Sequence, residues 1–210
     1  MTIAALILAA GQSSRMRRAC ARGTHDHDKV ENKLLADVGG MPMVARVADA
    51  ALASRARPVL AVTGHQAEKV RAALANRAVE VVHNPDYVQG MSTSLRVGIA
   101  ALGKTGVTGA LVLLGDMPKV TAATIDKLIA AFAAGDGRAI CVPEADGRRG
   151  NPVLWPRNLF REMSTVSGDQ GARDLLVRHA ARVTRVAAPP AEIFADVDKP
   201  EDLAQLRKNT

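Results

Sequence analysis

Aromatic residues are nearly missing: one Trp, one Tyr and three Phe in 210 residues. The core must therefore be aliphatic, and there is no material for a platform that stacks nucleic-acid bases. Cysteine is as scarce. Cys20 and Cys141 lie far apart with no CxxC or Cys/His ligand spacing, which argues against a disulfide framework or a structural zinc and points to a reducing, cytoplasmic setting. No apolar run approaches the roughly 18 to 20 residues that a bilayer crossing needs, so no membrane is expected among the partners. The apolar start, Thr2 to Ala10, lacks a positive leading segment and runs into a Gly-Ser-Arg loop; it reads as a buried first strand, not a signal peptide. The dinucleotide fingerprint G-x-G-x-x-G is also absent, because Gly11 is the only glycine in the stretch Leu8 to Met16.

What is present suits a folded protein with an anionic ligand. Apolar residues make up 48% and charged residues 23%, which excludes disorder as the main state. Lys and Arg number 28 against 21 Asp and Glu, a net charge of +7. Such a balance fits nucleic acid or a phosphorylated small molecule. Without aromatics or a basic helix face, nucleic acid is the poorer fit. The charge concentrates between Arg15 and Lys33, where six basic residues (Arg15, Arg17, Arg18, Arg22, Lys29, Lys33) meet three acids.

Short β-branched or Leu-rich runs alternate with Ala-rich segments of helical period. The pattern predicts strands at Ile3–Ala9, Pro58–Thr63, Val79–His83, Ala110–Leu114 and Ala139–Val142. Helices are predicted at Met43–Ala53, Gln66–Ala75, Ser94–Leu102 and Thr121–Ala134. The strands are apolar throughout, as in a parallel sheet with helices on both faces, so the fold class is α/β. Cys141 falls inside the last strand as a core residue. Regularity stops near Glu144, after which Gly-Arg-Arg-Gly, Pro152, Pro156 and Gly-Asp-Gln-Gly imply hairpins and short helices around a ligand. A last helix, Pro200–Lys208, carries proline and two acids in its first turn. No repeat or low-complexity linker divides the chain.

In an open parallel sheet, ligands sit beyond the carboxyl ends of the strands. The first such loop reads Leu8-Ala9-Ala10-Gly11-Gln12-Ser13-Ser14-Arg15. Small residues admit close backbone approach, Gly11, Ser13 and Ser14 offer donors to phosphate oxygens, and Arg15 adds a planar cation. A plain turn would need no Arg, and Asn32-Lys33-Leu34-Leu35 brings a second cation. After the fourth strand comes Gly115-Asp116-Met117-Pro118. Asp116 is placed to hold Mg²⁺, which takes one or two carboxylates plus substrate phosphates. It could instead cap the next helix, a task Thr121 can also perform. Asp196-Val197-Asp198 has the same two readings. Gly98 to Thr105 fits the letters of a P-loop, but it ends a helix and leads into a strand, the reverse of a working one. His25-Asp26-His27-Asp28 reads as a solvated stretch of a long, mobile loop over Arg17 to Glu31.

Taken in order, several segments resemble the molybdenum cofactor cytidylyltransferases of the MobA-like nucleotidyltransferase family. They are Leu8 to Met16, Asn32 to Leu35, Gly90-Met91-Ser92-x-Ser94-Leu95, Leu114 to Pro118, Gly150-Asn151-Pro152-Val153, Gly168-Asp169-x-Gly171-Ala172-Arg173 and Asp196 to Leu203. The resemblance runs from residue 3 to about 206. It implies a Rossmann-like nucleotidyltransferase fold in one domain, 1–210, with a nucleotide-binding half at 1–143 and an acceptor-binding, closing half at 144–210. It implies CMP transfer from CTP to the terminal phosphate of molybdenum cofactor, with Mg²⁺ and release of pyrophosphate. The product would pass by transient contact to a molybdoenzyme or its chaperone. By the same resemblance Leu8, Ala9, Ala10, Gly11, Ser13, Ser14 and Arg15 line the nucleotide and Lys33 touches its phosphates. Ser92 and Ser94 lie by the base, Asp116 and Asp198 hold Mg²⁺, and Asn151, Asp169 and Arg173 face the pterin. Arg15, Lys33 and Asp116 are the catalytic group. One departure is the 15-residue stretch from Arg17 to Glu31, where the family has only a few residues. Ala9-Ala10-Gly11 stands where guanylyl relatives carry Ala-Gly-Gly, so the Ala10 methyl is expected to crowd a purine. Alternatives are a guanylyltransferase of the same cofactor, a sugar- or isoprenoid-phosphate nucleotidyltransferase, and a cofactor-binding chaperone without catalysis.

Overall fold

A computed structural model describes residues 1–12, 32–168, 172–197 and 200–208. The strands are β1 (Ile3–Ala9), β2 (Val59–Thr63), β3 (Glu80–His83), β4 (Gly109–Leu114), β5 (Ile140–Ala145), β6 (Arg148–Arg149), β7 (Val153–Pro156) and β8 (Val183–Ala187). They form one sheet in the order β3-β2-β1-β4-β7-β5-β6, with β8 beside β5. β1 pairs in parallel with β2 and β4, and β2 with β3; β7 is inserted antiparallel between β4 and β5. The result is a mostly parallel, Rossmann-like sheet whose direction of winding changes between β1 and β4.

Apolar runs in β1, β2 and β4 are explained by cover on both faces. Ile3, Ala5, Ile7 and Ala9 join one buried cluster, while Ala4 and Leu6 join the other. The first cluster is closed by helix α1 (Met43–Ala53), through Val44, Val47, Ala48 and Ala51, and by α4 (Ala122–Ala134), through Ile125, Leu128 and Phe132. The second is closed by α3 (Met91–Gly103), through Leu95, Ile99 and Leu102, residues spaced along one helical stripe. Between these helices α2 (Ala67–Ala73) follows β2. It is shorter than the predicted 66–75, because Gln66 takes a left-handed backbone at φ 51° and begins the turn late.

The P-loop lettering is accounted for by packing. Gly98 sits inside α3, and a Cβ there would fall 2.4 Å from Leu6 Cδ1, so glycine lets the helix lie close on the sheet. Thr121 caps α4 by accepting from the Thr124 N–H at 3.2 Å, which leaves Asp116 without that duty. Cys141 is fully buried, and burial pushes its thiol up to about 11, as expected of an unreactive core residue.

Beyond β5 the elements shorten to α5 (Phe160–Met163), α6 (Arg173–Arg178), α7 (Pro190–Ile193) and the final helix α8 (Pro200–Lys208). Among the described residues, no helix is long and apolar enough to cross a membrane.

Candidate active site at the carboxyl ends of β1 and β4

Two loops meet where β1 and β4 end. Gly115 donates its N–H to Leu8 O at 3.0 Å, and a Cβ on Gly115 would approach that oxygen to 3.1 Å. The glycine therefore lets the loop after β4 lie against the end of β1. Asp116 follows at the strand mouth. Opposite stands Lys33, on a single 3-10 turn, Lys33–Leu35.

Asn32 fixes that turn. It is 1% exposed, and its Oδ1 accepts from Leu34 N at 3.1 Å while its Nδ2 donates to His65 O at 3.2 Å. His65 N in turn donates to Ala10 O at 3.2 Å. One buried amide thus links the loops that follow β1 and β2 to the turn bearing the lysine. Burying it is favourable because both ends of the amide are satisfied.

Lys33 Nζ donates to Asp116 Oδ2 at 2.5 Å and to Val197 O at 2.9 Å. Val197 N donates to Asp116 O at 3.2 Å. The C-terminal segment is consequently part of the site's wall. Val197 and Leu206 are buried with Ala36, Val38 and Met43, and Arg207 Nε donates to Asp37 O at 2.9 Å. Sequence reasoning named Asp198 but passed over Val197. Its signal was an apolar residue between two acids, a side chain with little reason to be there unless buried.

The other expected residues divide into three groups. Leu8, Ala9, Ala10 and Gly11 lie at the end of β1, with Ala10 4% exposed. A Cβ on Gly64 would fall 2.8 Å from the Ala10 methyl and 2.6 Å from Tyr87 Cβ, so that methyl packs inside the wall made by β1 and β2. Ser92 and Ser94 occupy the first turn of α3, which begins three residues earlier than predicted, and both are buried. Ser94 Oγ accepts from Asn84 Nδ2 at 2.9 Å, and the same amide nitrogen donates to Thr93 Oγ1 at 2.8 Å. Asn84, fully buried after β3, went unnoticed in the sequence. It holds the start of α3 under the site, and Met91 is the side chain left exposed there.

Asn151 and Arg173 lie in the later part of the chain. Asn151 N donates to Ile193 O at 3.2 Å, and Arg173 begins α6. Neither side chain has a hydrogen-bond partner among the described residues. Ser13, Ser14, Arg15, Asp169 and Asp198 fall outside the described residues, as do Cys20, the whole Arg17 to Glu31 stretch and its His25-Asp26-His27-Asp28 run. Among the described residues, no three His, Cys, Asp or Glu side chains cluster in a way that could hold a metal ion. A metal held by the described residues would rest on few protein ligands. Asp116 fits that demand: its carboxylate already holds one cation, the Lys33 ammonium, and an oxygen donor of this kind suits Mg²⁺ completed by phosphate oxygens.

A charged strand mouth of this form, on this sheet, marks a nucleotidyltransferase. A model of the MobA-like NTP transferase domain matches residues 5–183, and the chain belongs to that family. A nucleotidyl transferase from Methanothermobacter has a TM-score of 0.82 at 26% identity, over 99% of this chain and 97% of that one. The Mycobacterium tuberculosis protein Rv0371C, solved in complex with manganese, has a TM-score of 0.78 at 26% identity over the whole of both chains. The bifunctional protein GlmU of Kineococcus radiotolerans is 34% identical over 181 residues, 83% of this chain and 34% of that protein. GlmU of Leifsonia xyli is 33% identical over 138 residues, 65% of this chain and 26% of its own length. The chain therefore spans about a quarter to a third of the curated relatives it matches.

Proposed function

We propose that the protein transfers CMP from CTP to the terminal phosphate of molybdenum cofactor and releases pyrophosphate. An oxygen of the pterin phosphate attacks the α-phosphorus of CTP, the α–β phosphoanhydride bond breaks, and its electron pair leaves with pyrophosphate. The attacking phosphate is ionised at neutral pH, so the site needs no general base. It needs in-line placement and neutralisation of charge.

The observation that carries this reading is the meeting of Lys33 and Asp116 at the mouth of β1 and β4. A bound Mg²⁺ would neutralise phosphate charge and that of the leaving pyrophosphate. Asp116, with Asp198 next to the anchored Val197, would hold it. Lys33 and Arg15 would bind the phosphates, and Leu8 to Ser14 would line the nucleotide. Ser92 and Ser94 would support the base side from beneath, and Asn151, Asp169 and Arg173 would take the pterin. The choice of CTP rests on the family resemblance carried by Ala9-Ala10-Gly11 and not on a clash with the Ala10 methyl, which is buried. The choice of acceptor rests on the ordered motifs from Gly90 to Leu203.

A second reading, transfer to a sugar or isoprenoid phosphate, draws support from the GlmU relatives, which lie outside the molybdenum cofactor branch. One experiment separates the two. The protein is incubated with each nucleoside triphosphate and Mg²⁺, with purified molybdenum cofactor or with a panel of sugar and isoprenoid phosphates. Pyrophosphate release is then measured. Release with CTP and the cofactor is expected. Release only with a sugar or isoprenoid phosphate transfers the assignment to the second reading, and release with GTP in preference to CTP overturns the choice of base.

A further inference from the structure

Lys33 and Asp116 are each committed to the other. The ammonium lies 2.5 Å from Asp116 Oδ2 with the two side chains only 12% and 18% exposed. A lysine that binds phosphate must turn its charge toward the nucleotide. The ammonium takes Asp116 Oδ2, and a divalent cation approaching the same carboxylate meets the repulsion of the Lys33 charge. Lys33 and the ion therefore compete for Asp116.

Resting on the nucleotidyltransferase reading, we propose that Lys33 is a place-holding cation. It neutralises Asp116 in the ligand-free site and is displaced when a divalent cation enters with the nucleotide. The Lys33 ammonium then turns to the phosphates while Asp116 passes to the ion. Charge stays balanced at each stage, which matters because a carboxylate this sheltered is costly to leave unpaired. Asn32 holds the 3-10 turn through Leu34 N and His65 O, so the exchange would fall to the lysine side chain and not to the backbone. The same swing releases Val197 O, while Val197 N to Asp116 O, buried Val197 and Leu206, and Arg207 Nε to Asp37 O keep the C-terminal segment at the site. The device would make the metal bind weakly alone and well with nucleotide.

The test is Mn²⁺ binding to the nucleotide-free protein, followed by calorimetry or by the paramagnetic resonance of free Mn²⁺. Lys33→Met removes the competing charge at nearly constant side-chain volume. It is expected to tighten Mn²⁺ binding about tenfold, whereas Lys33→Arg, which keeps the charge, is not. Asp116→Asn in the Lys33→Met background should abolish the gain. If Lys33→Met binds Mn²⁺ no better than the parent while Asp116→Asn weakens it, the metal role of Asp116 stands and the place-holder is overturned. If Asp116→Asn leaves Mn²⁺ binding unchanged in both backgrounds, the metal reading itself is overturned. A measurement on the unaltered chain guards against a variant that fails to fold. Acetylation of Lys33, read by peptide mass spectrometry, should be several-fold faster with saturating Mg²⁺ alone than without it. An unchanged rate overturns the proposal.

Discussion

The chain up to Leu114 and the chain beyond Glu144 share one sheet but are held together by different means. In the first part β1 and β2 are buried on both faces, and helices lie so close that Gly98 cannot carry a Cβ without meeting Leu6. In the second, β6 and most of β8 are exposed, and the short elements are joined by side chains reaching to carbonyls and carboxylates. Arg157 donates to Gly103, Thr105 and Val107 carbonyls at 2.7 to 3.0 Å, closing the end of α3. Glu192 Oε2 accepts from the hydroxyls of Thr121 and Thr124, both at 2.7 Å, tying α7 to the start of α4. Packing fixes the ends of β1 and β4, whereas in the later part polar staples add to a buried cluster that includes Val153, Trp155, Phe160, Met163 and Leu175.

The sharpest way to break this comparison is at the site itself. Asp116→Asn keeps shape and removes the charge. Turnover should fall by at least two to three powers of ten, the usual loss when one preorganised charge contact is removed. Circular dichroism and thermal melting should show the fold retained. Activity within a factor of two of the parent would remove Asp116 from the chemistry.

Next in size is a cavity under α4, the helix that closes the first buried cluster over β1 and β4. Phe132 is fully buried between α4 and the sheet, so Phe132→Ala is expected to cost about 3 to 5 kcal/mol, read from chemical denaturation. The matching cut among the staples is Glu192→Ala, which leaves two threonine hydroxyls without an acceptor that they now share. Its cost should be about 1 to 3 kcal/mol. If the two variants lose equal stability, the contrast between packing and stapling fails.

Much of this was legible beforehand, and the reasons are local. β1 and α1 are predicted to the residue because an unbroken apolar run and a clean helical stripe leave no competing reading. Asp116 is visible as a charge placed just after an apolar strand, and Lys33 as a second cation in Asn32-Lys33-Leu34-Leu35. What stayed hidden depends on long-range contacts. Nothing near Asn32 in the chain reveals that its amide reaches His65 O, and nothing near Asn84 reveals Thr93 and Ser94 as its partners. The helix predicted from Ser94 begins at Met91, where bonds from Asn84 to Thr93 and Ser94 hold its first turn. β7 also escaped, because its four residues follow Pro152, end in Pro156 and show no alternation.

The smallest expected effect lies in the stapled half and depends on pH. Glu162 is hydrogen-bonded by His179 Nε2 at 2.9 Å, with Arg178 Nη1 at 3.5 Å. The bond from His179, assisted by the positive charges of Arg178 and Arg182, holds this carboxyl below its ordinary value of about 4.5, against a weaker opposing push from burial. A carboxyl with a depressed folded-state value contributes stability that is fully present above the unfolded value. That contribution is lost as pH falls through the folded one. The parent should therefore lose stability on acidification from about pH 5 downward more steeply than Glu162→Gln, which has no carboxyl to protonate there. Because the pair is well exposed, solvent screens it and the difference at neutral pH should be slight. Denaturation midpoints measured at intervals from pH 7 to pH 3 decide it. Parallel curves for parent and variant would show that α5 and α6 are joined by packing through Met163 and Leu175, not by this ion pair.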